Sequence, residues 1–164
     1  MKISPLNLRA VIFGITDSLV STVGLLAGLD VAGASHKTLA LTGVVYAFVE
    51  AFSMAVGNFL SEKSAEEYEN RSDVADAPSV FAGAIMFFSF VLAAFIPLAP
   101  YLFLTAWMAL ATSILLSIAV LFLVGTVSAR LSRLPVFSRG IRMALLGGAA
   151  IIMGVLIGSI IPAG

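Results

Sequence analysis

Residues 8–29 read LRAVIFGITDSLVSTVGLLAGL, with Asp17 near the middle. At about 1.5 Å per helical residue this run is long enough to cross a bilayer. A carboxylate halfway along a membrane helix costs on the order of 2.5–3.5 kcal/mol on insertion scales. Glu50 repeats the anomaly in the next apolar stretch. Two acids at membrane depth, with few other charges in the spans, point to a path for a cation. The competing reading is an acid that only bonds a neighbouring helix.

Composition sets the class. Hydrophobic residues make up 60% of the chain and charged residues 11%, and mean hydropathy is +1.11. A soluble domain would carry about 25% charge. The expected fold is an all-α integral membrane protein, one transmembrane domain over residues 1–164. The formal net charge of zero argues against a nucleic-acid partner, and the lack of cysteine excludes disulfides and thiolate metal sites. His36 is the sole histidine. Lys2 and Arg9 before an apolar run resemble a signal peptide, but Asp17 interrupts that run, so a retained first helix is expected.

Five spans are expected, at 8–29, 39–61, 79–99, 103–128 and 140–161. Pro97 and Pro100 are read as the turn between the third and fourth, and Pro135 lies between the fourth and fifth. Gly24 with Gly28, and Gly154 with Gly158, form GxxxG pairs, weak pointers to helix interfaces. Of the nine Lys and Arg residues, only Lys37 falls on one side of an alternating five-helix chain. The positive-inside rule then puts the N-terminus in the cytoplasm and the C-terminus outside. An odd helix count cannot form two equal repeats, so a symmetric pathway is expected between two copies, as a homodimer.

On the first helix Asp17, Ser21, Gly24 and Gly28 share a face, and on the second Glu50, Met54, Gly57 and Ser61 do so. Ser21, Gly24 and Gly57 are expected on the pore face. A carboxylate one turn from a thioether suits a borderline divalent transition metal better than magnesium or calcium. Met54 by itself reads more often as core filler than as a ligand. Glu62, Glu66, Glu69 and Asp73 keep the same spacing, and at about 100° per residue they fall within about 60° of arc. They are expected to line a short acidic helical extension over residues 62–77, ended before Pro78, that either collects cations at the entrance or is a solvated face. Asp30 and His36 fall in the short loop on the other side and are read as ordinary loop residues. Arg130, Arg133, Arg139 and Arg142 read as topology determinants. No Walker A loop or nucleophile motif is present, so an enzyme is not expected and uphill transport would draw on an ion gradient.

Asp17 to Leu29, DSLVSTVGLLAGL, resembles the first-helix motif of the vacuolar iron transporter family, and Phe52 to Ser64, FSMAVGNFLSEKS, is similar to its SMA-x-GEYLS-x-KS block. Weaker echoes are Ile96 to Tyr101 and Gly140 to Met143. The resemblance implies a five-helix protomer that dimerises around the pathway. It also implies export of Fe2+ or Mn2+ from the cytosol in exchange for protons, the metal being substrate and no cofactor being required. Asp17 and Met54 match the family's ion-path positions. Ser18 stands where a glycine is usual, Asn58 where a glutamate is common, and Glu50 where a small residue is expected. Only residues 65–78 separate Ser64 from the third span, so the large glutamate-rich domain of many members is missing or reduced to the acidic stripe. The membrane expected is a prokaryotic plasma membrane, or a vacuolar-type one in a eukaryote. The rival functions are transport of another divalent cation, an uncoupled channel, or a non-transporting scaffold or partner subunit.

Overall fold

The computed structural model describes residues 4–161, so Lys2 lies outside the described residues. Five helices run in order: α1 Pro5–Val31, α2 His36–Asn70, α3 Asp76–Phe103, α4 Ala106–Leu131 and α5 Val136–Ile160. Each is long and apolar enough to cross a membrane. In hydrocarbon a helix is the natural solution for one span, because it satisfies its own backbone polar groups. Ser4 caps α1 by accepting from Asn7 N at 3.2 Å, and Ser35 caps α2 by accepting from Thr38 N at 3.2 Å. Gly33, at φ 88°, makes the left-handed turn between them.

α1 is the central helix. Half of its membrane window is buried, against 17% for α5 and 22% for α2. It touches all four others, most extensively α3 and α5, while α2 leans mainly on α3 and α4 pairs with α5. α2 and α5 flank α1 with no extensive packing between them. Fully buried Leu26, Leu39, Leu98 and Tyr101 close one end of the bundle, and Leu19, Ala93 and Leu121 fill its middle.

The two GxxxG pairs meet each other. A Cβ on Gly24 would lie 3.2 Å from Ala150 O, and one on Gly28 would lie 2.7 Å from Gly154 O. In return, Cβ atoms on Gly154 and Gly158 would collide with the carbonyl oxygens of Gly24 and Gly28. α1 and α5 therefore run in the same direction, backbone against backbone. Without a hydrophobic drive between helices in lipid, such close approach supplies dispersion contact over the whole seam.

Two expectations need correction. Pro97 and Pro100 do not form the third turn; both are buried inside α3, which continues to Phe103. Proline removes a donor, not an acceptor. The carbonyls left without a helical donor are those of Ala93 and Ile96, four residues earlier. Ser113 Oγ donating to Pro97 O at 2.8 Å ties this turn to α4, and Leu104 N donating to Pro100 O at 2.8 Å closes the end of the helix. α2 does not extend to Asp73. It stops at Asn70, where Arg71 takes a left-handed conformation (φ 51°), and Pro78 instead sits in the first turn of α3, where its missing N–H is not needed.

Candidate ion pathway

Arg9, Phe13, Asp17 and Ser21 follow at one-turn intervals along α1. They meet α2 across a cleft. At its N-terminal mouth Arg9 Nη1 lies 2.6 Å from Glu62 Oε1. That oxygen is buried and has no aligned hydrogen bond, so the pair is an ion contact rather than a directed bond. Above it, Arg9 and Phe13 with Ser53, Met54, Gly57 and Asn58 enclose a space of about 320 Å³. Gly57 is open, with nothing within 4 Å of where a Cβ would be. Asn58 is buried, and its Nδ2 has no hydrogen-bond partner among the described residues.

Asp17 and Glu50 come next, half-buried and within reach of each other's charge. Among the described residues neither side chain makes an ion pair. Tyr46, one turn from Glu50 on α2, lies beside Ser21 and within the field of both carboxylates, and its ring is 6.5 Å from that of Phe90. Tyr46 was not singled out from sequence, because a tyrosine in an apolar run ordinarily reads as packing; its i−4 spacing from Glu50 was the available signal. Ser21 Oγ donates to Asp17 O at 2.7 Å, back along its own helix. Met54 lines the cleft and also packs on Ala10, Ala82 and Met86, so it serves as both wall and core.

Beyond Ser21 the surface changes character. Val20, Ser21, Leu25, Gly154 and Ile157 border a groove of about 430 Å³ that is almost wholly apolar. Gly24 and Gly28 also border it, but their α-carbons press on α5, so they close the bundle rather than furnish a pore wall of their own. Asp30 and His36 are not loop residues: one is in the last turn of α1 and the other opens α2. Tyr101 donates to Asp30 Oδ2 at 3.4 Å, and His36 Nε2 bonds the carbonyl of Leu104 at 2.8 Å.

The acidic stripe is divided. Glu62 faces Arg9, while Glu66 and Glu69 are exposed on the last turns of α2. Asp73, beyond the helix end, lies 3.6 Å from Lys63 Nζ, which also holds Asp76 of α3 at 2.5 Å and Glu67 at 3.5 Å. Among the described residues no three His, Asp or Glu side chains converge where they could hold a metal ion. Met54 and Gly57 thus line one cleft, with Asp17 and Glu50 near each other further along α1 and α2 and Ser21 bordering the apolar groove beyond; Glu62 guards the mouth; Glu66, Glu69 and Asp73 are not part of it.

Ser18 turns away from the cleft. Its Oγ donates to Phe90 O of α3 at 2.7 Å in the buried core, which makes it a structural replacement for the usual glycine. No curated protein matches the chain. The family model described as the VIT family matches residues 8–74 and 71–159, two segments that together cover all five helices apart from their outermost turns. The two motifs quoted above lie in the first segment; the second motif supplies the α2 wall of the cleft, while the α1 residues of the cleft, Arg9 and Phe13, precede the first motif. The chain therefore belongs to the VIT family, in keeping with a membrane transporter of metal ions.

Proposed function

We propose that this protein is a homodimeric secondary transporter that exports Fe2+ or Mn2+ from the cytosol in exchange for protons. The observation that carries the reading is that Asp17 of α1 and Glu50 of α2 lie half-buried within reach of each other's charge, with Met54, one turn along α2, in the wall of the adjoining cleft. Two carboxylates in one half-buried site need positive charge between them, either protons or a divalent cation. Alternate occupancy of the same oxygens couples the two fluxes. The thioether favours softer divalent metals over magnesium or calcium.

The gathering of Lys and Arg at the N-terminal end of α1 and its neighbouring connections supports a cytosolic N-terminus, in the plasma membrane of a prokaryote. Export then runs from the Arg9 mouth toward Asp30. One protomer supplies two carboxylates and a thioether, fewer donors than a metal ion prefers, and a second copy across the open side of α1 would supply the rest. The test is uptake of Fe2+, Mn2+ and Zn2+ by proteoliposomes under an imposed pH gradient. Metal uptake that follows the gradient and collapses with a protonophore supports the exchange. Uptake indifferent to pH makes the protein an uncoupled channel, and no uptake of any metal removes the transport reading.

A further inference from the structure

We infer that Arg9 is a built-in competitor for the transported ion: its guanidinium occupies the mouth of the cleft, and a divalent cation enters by taking Glu62 from it. This rests on the reading of the cleft as an ion path. Glu62 and Arg9 are unequal partners. The Glu62 side chain is only 16% exposed, whereas that of Arg9 is 64% exposed. A nearly buried carboxylate requires a counter-charge at all times. An exposed guanidinium can leave into water at little cost, because exposed ion pairs contribute little. The contact is therefore built for exchange of one cation for another.

The wall behind the pair has spare polar capacity. Asn58, one turn before Glu62 on α2, is more than nine-tenths buried and borders the cleft, yet among the described residues its Nδ2 bonds nothing. No hydrogen-bond network fixes the orientation of that amide, so its carbonyl end can turn to a cation without breaking a bond. Ser61 and Met54 border the same space. Glu62, Asn58 and Met54 thus offer a carboxylate, an amide and a thioether in sequence from the mouth inward, and Arg9 is the positive charge that an arriving ion must displace. The assignment makes Arg9 a residue that sets affinity at loading.

The test is Mn2+ binding to the full-length protein in lipid nanodiscs, read from the paramagnetic resonance signal of free Mn2+. Arg9→Gln should tighten binding roughly threefold at low salt, the size expected for release of one partly exposed ion pair, and the gain should shrink as ionic strength rises. In the Glu62→Gln background Arg9→Gln should give no gain, since the contested carboxylate is gone. Arg9→Leu serves the same purpose if Arg9→Gln does not assemble. Unchanged or weaker Mn2+ binding in the Arg9 variants, an equal gain without Glu62, or no binding to any form overturns the inference. Binding is read without flux, so a wild-type protein that binds Mn2+ but moves none defeats the transport reading, while the Arg9 variants still decide this one.

Discussion

Ser18 Oγ and Phe90 O are joined at 2.7 Å across the α1–α3 contact, in a position with no access to water. The residue beside the intramembrane acid is therefore an anchor. Ser18→Gly, which restores the family's usual residue, should lower stability by about 1–2 kcal/mol through the lost hydrogen bond and the glycine in mid-helix. Metal flux per folded molecule should stay near wild type. Thermal unfolding in detergent, with flux measured on the same preparation, checks both halves.

Asp17→Asn is expected to abolish metal flux and leave folding intact. The carboxylate has no ion-pair partner among the described residues, so its removal orphans no basic group. It also relieves the cost of carrying a charge at membrane depth. Expression at or above wild type with no uptake is the expected pair of results; uptake at the wild-type rate would make Asp17 a structural acid.

The glycines divide by environment. Gly158→Val should cost about 1–3 kcal/mol by overpacking, because a Cβ there collides with the carbonyl of Gly28. Gly57→Leu should cost far less, since nothing lies within 4 Å of its Cβ position. It should nevertheless slow metal flux by narrowing the cleft beside Met54. Melting temperatures and initial uptake rates of the two variants separate packing from passage.

A dimer that completes the site should meet across the open side of α1, not through its glycines. The chain has no native cysteine, so single cysteines report cleanly. Phe13→Cys, at a side chain 48% exposed beside the cleft, should crosslink between copies in membranes. Gly24→Cys should not, because α5 of the same chain covers it. Trapping at neither Phe13 nor its cleft neighbour Ser53 would count against this arrangement.

Glu66 and Glu69, exposed and apart from the cleft, should only enrich cations near the mouth. Replacing both with glutamine is expected to raise the half-saturating metal concentration about twofold at low salt, with the maximal rate unchanged. Loss of flux at saturating metal would show that these turns of α2 hand the ion onward.

Much of this was legible in the chain. Apolar length gave five spans, and the rarity of a carboxylate in such a run marked Asp17 and Glu50. What escaped has a common cause: partnership across the bundle. GxxxG spacing announces close approach but does not name the other helix, so the match of Gly24 and Gly28 to α5 was invisible. Pro97 and Pro100 carry a local signal to stop, yet both are buried among the other helices and α3 runs on to Phe103. Asp73 kept helical spacing, but the left-handed Arg71 ended the helix before it. Ser18 and Asn58 showed as departures from a motif, yet whether each faced core or cleft depended on α3 and α1 being in place.

At the α1–α5 seam, Gly28 and Gly158 face each other with no side chain on either strand of the contact. Neither helix can accept a methyl group unless the other has already yielded, and glycine has nothing left to yield. In related chains these positions should change jointly or stay fixed, whereas Gly57 is free to drift by single steps. Two distant stretches of the gene are thus yoked, and their shared history is a record of which helices touch.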